Sequence, residues 1–251
     1  MKSGITVRFT QMAIMAGFLY IFPLMLQLSF SFTAMQTGLA LMPFSLSLLV
    51  MALLGSKLSA KFYANRIITV GFIVASVGLG VLAASIKPDV SPSDLALGAL
   101  FGLGLGLINS QILNLVISSV SPDLTAEVSG VNSTFEQLGN AIGVALIGSV
   151  LLGALTVGVQ EGINASAAIP QEMKATLTAA VEDGVQLVSD EALQDGMAAS
   201  GADTAMVEEV MSIYDLARTQ AFKGGVGLLI FFSLAATILS LKLPRRKLVN
   251  A

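Results

Sequence analysis

Long apolar runs without a single charged residue alternate along the chain with short segments that concentrate the charges. The first run covers 48 residues, from Phe9 to Ser56, which is long enough for two membrane-spanning helices of about 20 residues each. The runs lack the strict apolar and polar alternation of membrane β-strands. The pattern therefore predicts six transmembrane helices, at about 9–30, 39–56, 67–85, 95–120, 128–155 and 222–243.

The composition agrees with a membrane protein. Of the 251 residues, 55% are hydrophobic and 12% are charged, whereas an average soluble domain has about 25% charged residues. The sequence contains no Cys and no His, so it lacks the usual transition-metal ligands and the residues of thiol and Ser-His-Asp catalysis. We expect an all-α integral membrane protein that contacts the lipid bilayer, with no enzymatic activity, metal, cofactor or nucleic-acid partner.

Basic residues predict which helix ends face the cytoplasm, because short cytoplasmic loops are enriched in Lys and Arg. Most of the bases fall on one side of a six-helix arrangement, namely Lys2, Arg8, Lys57, Lys61, Arg66, Arg245, Arg246 and Lys247. Lys87 and Lys223 are single exceptions on the other side. The sequence therefore predicts a multi-pass protein of the cytoplasmic (inner) membrane with both termini in the cytoplasm.

One long segment, 156–220, is strongly acidic. It holds 11 acidic and 2 basic residues, while the rest of the chain holds 5 acidic and 11 basic residues. Apolar residues such as Met173 and Leu177 recur at helical spacing. We expect transmembrane helices one to five in 1–155, an acidic extracytoplasmic helical segment in 156–220, and helix six with a basic cytoplasmic tail in 221–251. Three interpretations of this segment remain open: a helical cap, a docking site for an extracytoplasmic partner, and a negatively charged entry for cations.

Small residues recur at every fourth position of two predicted helices. Gly98, Gly102 and Gly106 lie in helix four, and Gly139 and Gly143 lie in helix five. Between helices in lipid, close packing of small residues replaces the hydrophobic effect as a driving force. The spacing therefore predicts that these two helices pack tightly against their neighbours.

Glu136 is the only acidic residue inside a predicted span. Asn132 and Asn140 lie four residues before and after it, on the same helical face. Glu136 lies about 20 residues before Leu155, which places it near the cytoplasmic edge of the hydrocarbon. Two interpretations remain open, an interfacial carboxylate that reaches water and a proton- or cation-binding carboxylate that faces a cavity.

Other polar residues also lie at membrane depth. Pro23 removes a backbone hydrogen bond and predicts a kink in the outer third of helix one. Five further polar side chains lie in helices one, four and five: Gln27, Asn109, Ser110, Asn114 and Asn140. Two interpretations remain open for them, hydrogen bonding between helices and contact with a substrate.

Three stretches carry a family resemblance. They are FLYIFPLMLQ at 18–27 with QTGLALMP at 36–43, GLGLG at 102–106 followed by the polar residues 109–114, and SGVN at 129–132 with QLGNAIGVA at 137–145. Together they resemble the C-terminal six-helix half of a major facilitator superfamily transporter. The resemblance is closest to the fourteen-span drug:proton antiporters of the EmrB/QacA type, which also suits the large outside segment before the last helix.

The resemblance implies a fold, a partner and a function. Helices one, two, four and five would line a cavity for a small-molecule substrate. The usual proton-coupling acids of the family lie in its N-terminal half; in this chain, the residues themselves indicate Glu136 as the proton-coupling candidate and the five polar residues named above as candidate contacts. The half would work with an N-terminal six-helix half or with a second copy, and would export small amphiphilic molecules, drugs or one specific metabolite by alternating access. The alternative is a non-transporting membrane subunit that binds a partner through the acidic segment.

The segment after helix two resembles the cytoplasmic signature loop of the superfamily. The signature-like residues are Gly55, Lys57, Leu58, Lys61 and Arg66. Of these, Leu58, Lys61 and Arg66 fit the pattern, whereas the first glycine lies one place early and the second glycine is Tyr63 in this chain. The acidic position of that loop is Ala60 in this chain. The segment is therefore basic throughout, and its charges favour a cytoplasmic location.

Overall fold

The computed structural model describes residues 2–85, 94–118, 120–182, 186–199 and 203–245. Lys87, Arg246 and Lys247, which contributed to the predicted topology, lie outside the described residues. Every regular element within the described residues is helical, which confirms the all-α prediction. The elements are α1 (Lys2–Ser29), α2 (Ala34–Leu58), α3 (Ala64–Ser85), α4 (Gly98–Ile117), α5 (Thr125–Ala165), α6 (Gln171–Glu182), α7 (Asp190–Ala199) and α8 (Thr204–Ser240), with 3-10 turns at Asp94–Leu97 and Pro122–Leu124.

Six of the described helices are long and apolar enough to cross a membrane, namely α1 to α5 and α8. With 41 and 37 residues, α5 and α8 are about 62 Å and about 56 Å long at 1.5 Å per residue. The hydrocarbon core of a bilayer is only about 30 Å thick. Both helices therefore continue well beyond the membrane, into the acidic segment 156–220.

The predicted helix ends differ from the observed ends where a helix continues through charged residues. α1 begins at Lys2 instead of near residue 9, so it contains Arg8. α5 ends at Ala165 instead of 155, and α8 begins at Thr204 instead of 222. A charge-free run marks the part of a helix that lies in the hydrocarbon core of the membrane. The helix itself can extend beyond that core, because its backbone hydrogen bonds and packing continue through charged residues.

The connection between α1 and α2 shows local control of a helix start. Thr33 precedes α2, and its hydroxyl oxygen accepts a hydrogen bond from the backbone N–H of Gln36 at 3.3 Å. The Gln36 side-chain oxygen in turn accepts one from the backbone N–H of Thr33 at 2.8 Å. This reciprocal capping box satisfies two backbone donors and starts α2 five residues before the predicted position at 39.

The six membrane helices pack with an internal two-fold relationship. α1 packs against α5 and α8, and α4 packs in the same way against α2 and α3. Contacts of α1 with α4 and of α3 with α8 join the two groups. If α1 is paired with α4, α2 with α5 and α3 with α8, the contacts of α1 correspond to those of α4. Transporters built from inverted three-helix repeats have this pattern.

Three glycines of α4 let this helix approach two neighbours at once. A side chain at Gly102 would overlap the Phe44 carbonyl of α2, and one at Gly104 would overlap the backbone of α3 at Ala75. Gly106 faces the Leu48 carbonyl of α2 in the same way. The predicted close packing is confirmed at Gly102 and Gly106, whereas Gly98 meets only a Leu82 methyl group at 3.8 Å.

The acidic segment is organised around Arg218 of α8. Its side chain is completely buried and forms salt bridges to Asp190 at 2.7 Å and Asp215 at 2.9 Å. The neighbouring Tyr214 hydroxyl accepts a hydrogen bond from the backbone N–H of Val188 at 2.8 Å. These contacts fasten the residues before α7 onto α8, so the described part of the segment is a folded helical cap.

Close approach of α5 to α1 is directly testable with two glycines of the same helix. A side chain at Gly143 would overlap the Ala13 backbone of α1, whereas a side chain at Gly153 would meet no neighbouring atom within 4 Å. We expect Gly143→Val to destabilise the protein by about 1–3 kcal/mol or more, and Gly153→Val to change stability by less than about 0.5 kcal/mol. Thermal unfolding of the detergent-solubilised variants measures both, and equal stability of the two would contradict the packing.

Candidate functional site

Four polar side chains from three helices form one connected cluster, which we call the Arg8 cluster: Arg8 and Gln11 of α1, Asn109 of α4 and Glu136 of α5. The Arg8 guanidinium forms a salt bridge to a Glu136 carboxylate oxygen at 2.9 Å. It also donates hydrogen bonds to the side-chain oxygens of Asn109 at 2.6 Å and of Gln11 at 3.1 Å. One cation therefore links α1, α4 and α5.

Glycine on α5 places the two charges within reach of each other. Gly139 follows Glu136 by about one helical turn, and Phe9 follows Arg8 directly. A side-chain carbon at Gly139 would come within 2.5 Å of the Phe9 carbonyl oxygen and 3.1 Å of the Met12 β-carbon. Because this side chain is absent, the backbones of α1 and α5 can approach until Arg8 and Glu136 meet.

The two partners of the ion pair differ in their access to solvent. The Arg8 side chain is 9% exposed, and that of Glu136 is 30% exposed. A charge buried at membrane depth is stable only when it is paired and hydrogen-bonded, and Arg8 meets this condition through three oxygen acceptors. Its Nε atom has no hydrogen-bond partner among the described residues. Glu136 is therefore the more exposed partner of the ion pair.

A second buried polar group lies one turn before Glu136. Asn132 is buried, and its side-chain oxygen has no hydrogen-bond partner among the described residues. Asn140, one turn after Glu136, is half-buried and donates a hydrogen bond to Gln137 at 3.5 Å. The polar face predicted on helix five is therefore present on α5, with the ion pair at its centre.

The other predicted cavity residues occupy different environments. Ser110 is half-buried, donates to the Leu107 carbonyl at 2.7 Å, and accepts from Gln111 at 3.0 Å. Gln27, near the opposite end of α1, and Asn114 of α4 are both exposed. The structure brings Asn109 and Glu136 together, while the roles of Gln27, Ser110, Asn114 and Asn140 in substrate binding stay predictions.

The signature-like segment spans the end of α2 and the start of α3. Gly55, Lys57 and Leu58 complete α2, Lys61 lies in the turn, and Arg66 lies in the first turn of α3. Gly55 is buried opposite Ser110, and its carbonyl accepts a hydrogen bond from the Gln111 side chain at 2.7 Å. This contact connects the end of α2 to α4.

In α1, the helix continues through Pro23 to Ser29, and a kink there stays a prediction.

Sequence reasoning missed two members of the Arg8 cluster, Arg8 and Gln11. The charge-free run places Arg8 in the loop before helix one because Arg8 borders that run. The available signal is the acid itself: a carboxylate inside a span needs a counter-charge, and Arg8 is the base that directly adjoins the first predicted span. The relative depth of α1 and α5, which decides whether the pair forms, is set by tertiary packing.

Comparison with known proteins agrees with this architecture. A family model for the Major Facilitator Superfamily matches residues 2–144. The chain is 26% identical over 215 residues to the "Probable actinorhodin transporter" of Streptomyces coelicolor, covering 84% of this chain and 33% of that protein. It is 26% identical over 128 residues to "Puromycin resistance protein pur8" of Streptomyces alboniger, covering 49% and 25%.

A third relative is "Multidrug resistance protein Stp" of Mycobacterium tuberculosis, which is 29% identical over 125 residues. The match covers 50% of this chain and 23% of that protein. The chain thus spans a third or less of the length of these relatives. Because the family model covers more than half of the chain and the described helices have the expected length and composition, this multi-pass membrane protein belongs to the Major Facilitator Superfamily.

Proposed function

We propose that this chain is one half of a proton-coupled exporter of small amphiphilic molecules that works by alternating access. The salt bridge between Arg8 and Glu136 is the observation that carries the proposal, because it joins α1, α4 and α5 through a titratable group. Three relatives whose names refer to actinorhodin transport, puromycin resistance or multidrug resistance support export as the direction of transport.

Protonation of Glu136 is the proposed switch. When the carboxylate is ionised, it compensates the Arg8 charge and fastens α5 to α1. When Glu136 binds a proton, Arg8 loses its only anionic partner within the described residues, and leaving such a charge buried costs about 3–5 kcal/mol. The protein then favours an arrangement in which α1 and α5 separate at this end and water or substrate reaches the guanidinium. Release of the proton restores the pair.

A second six-helix half completes the proposed transporter. The chain matches only 23–33% of the length of the three relatives, and a central cavity requires two halves. One face of α5 carries a row of small and polar residues that is exposed along its whole length: Ser133, Gln137, Ala141, Ala145, Ser149 and Gly153. This face allows close helix packing and suits contact with an N-terminal half or a second copy.

The proposed orientation places both termini and the segment 57–66 in the cytoplasm and the helical cap outside. Lys57, Lys61 and Arg66 lie at the same end of the helices as Arg8, in agreement with the enrichment of bases in short cytoplasmic loops. The Arg8 cluster then lies near the cytoplasmic side. A proton bound from outside is released from Glu136 into the cytoplasm while this end is open, and the substrate binds from the cytoplasm in exchange.

The requirement for a second half is tested by dye efflux from cells that express the chain alone, beside cells that co-express an N-terminal six-helix half from the same genome. We expect export when the partner half is present, because the cavity is then closed on both sides. Export by the chain alone would replace the heteromeric arrangement with a homodimer. Absence of export in both cells, with normal membrane insertion, would favour a non-transporting subunit that binds a partner through the cap.

The coupling role of Glu136 is tested by Glu136→Gln in proteoliposomes that contain the complete transporter. We expect loss of substrate accumulation driven by a pH gradient, because the amide binds no proton in this range, and retention of substrate exchange without a gradient. Glu127→Gln is the matched control, since Glu127 is exposed in the first turn of the same helix. Full gradient-driven accumulation in Glu136→Gln would contradict the proposal.

A further inference from the structure

We propose that a groove between α2, α3 and α4 binds an anionic phospholipid from the leaflet beside the segment 57–66, with its phosphate at Arg66 and an acyl chain along the groove. This inference concerns a surface outside the Arg8 cluster. It does not depend on the proposed transport function.

The groove is an apolar channel that ends at a cation. Its volume is about 410 Å³. Arg66, in the first turn of α3, is the charged residue of the lining. The apolar lining residues come from three helices and the intervening turn: Met51, Leu58, Phe62, Ile67, Val70 and Leu107. Phe62 and Val70 are about half exposed, so the groove is open at the surface of the described chain.

The groove is formed where the packing departs from the internal two-fold arrangement. α2 and α3 both pack on α4, through Gly106 and Gly104 respectively. They make little contact with each other among the described residues, whereas their counterparts α5 and α8 pack extensively. The surface of α4 at Leu107 therefore forms the floor of a groove whose walls are α2 and α3.

The charges around the groove select an anion. The segment 57–66 contains three bases, Lys57, Lys61 and Arg66, and no acidic residue. All three are exposed, and none forms a salt bridge within the described part of the chain. Bases at a membrane surface attract anionic lipid headgroups. A zwitterionic lipid has no net charge to complement these three bases.

The Arg66 side chain is held in a suitable position. Its guanidinium lies over the Tyr63 ring, with 5.7 Å between the guanidinium carbon and the ring centroid. Stacking on an aromatic face leaves the planar N–H groups free to donate hydrogen bonds, and this fork matches a phosphate. A phosphate at Arg66 also lies at the mouth of the apolar groove, so a diacyl lipid satisfies both features, whereas a soluble phosphate satisfies only one.

The test measures lipid binding to the purified full chain in mixed micelles, with phosphatidylglycerol and phosphatidylcholine of identical acyl chains as probes. Native mass spectrometry and melting temperature report binding. We expect phosphatidylglycerol to bind more tightly than phosphatidylcholine. Arg66→Gln should weaken phosphatidylglycerol binding by about tenfold, which corresponds to the loss of about 1.4 kcal/mol.

Two further variants separate the groove from general surface charge. Arg245→Gln removes an exposed base that does not line the groove, and it should leave phosphatidylglycerol binding within about twofold. Val70→Phe fills the groove while keeping all bases, and it should weaken binding of the lipid. Equal effects of Arg66→Gln and Arg245→Gln would overturn the proposal in favour of non-specific attraction. Glycerol phosphate that competes as well as the lipid would overturn it in favour of a soluble-anion site.

Discussion

The close contact between α1 and α5 determines how the charged residues of this protein can lie within a membrane. Gly139 and Gly143 face the backbone of α1 at Phe9 and Ala13, where any side chain would overlap it. This approach brings Glu136 within 2.9 Å of Arg8. If the helices were held apart by larger residues, Arg8 would be a buried cation without its counter-charge. The glycines therefore set both the packing and the electrostatics of this end of the bundle.

Two buried arginines have opposite consequences in this structure. Arg218 lies in the cap, where its two carboxylate partners are largely exposed, so the cap is fastened to α8 by contacts at the edge of water. Arg8 lies among membrane helices, where its carboxylate partner is also the only acid of the predicted spans. The proposed coupling of proton binding to helix separation rests on this difference, because loss of the Glu136 charge would leave Arg8 without its carboxylate partner.

Much of the fold could be predicted from the sequence, because the bilayer imposes length and polarity on each span. The charge-free runs identified all six membrane helices, and the four-residue glycine spacing identified the tight faces at Gly102 and Gly143. Helix ends were less predictable: α5 and α8 continue into the acidic segment, and Arg8 is part of α1. Glu136 could be identified as a candidate site residue from the sequence, because it is the only acidic residue inside a predicted span. Its pairing with Arg8 depends on the register of two helices 128 residues apart in sequence, which local patterns do not encode.

In the proposed mechanism, the ion pair holds α1 and α5 together, and protonation of Glu136 releases them. The chain has no native cysteine, so spin labels at Ser3→Cys and Ser133→Cys, both exposed positions at this end of α1 and α5, report the separation without further changes. Pulsed electron spin resonance in nanodiscs should give a longer distance between the two labels in Glu136→Gln than in the otherwise unsubstituted labelled protein at neutral pH. Acidification of the labelled protein that retains Glu136 should lengthen the distance by the same amount. An unchanged distance in Glu136→Gln would contradict the proposed release of α5 from α1.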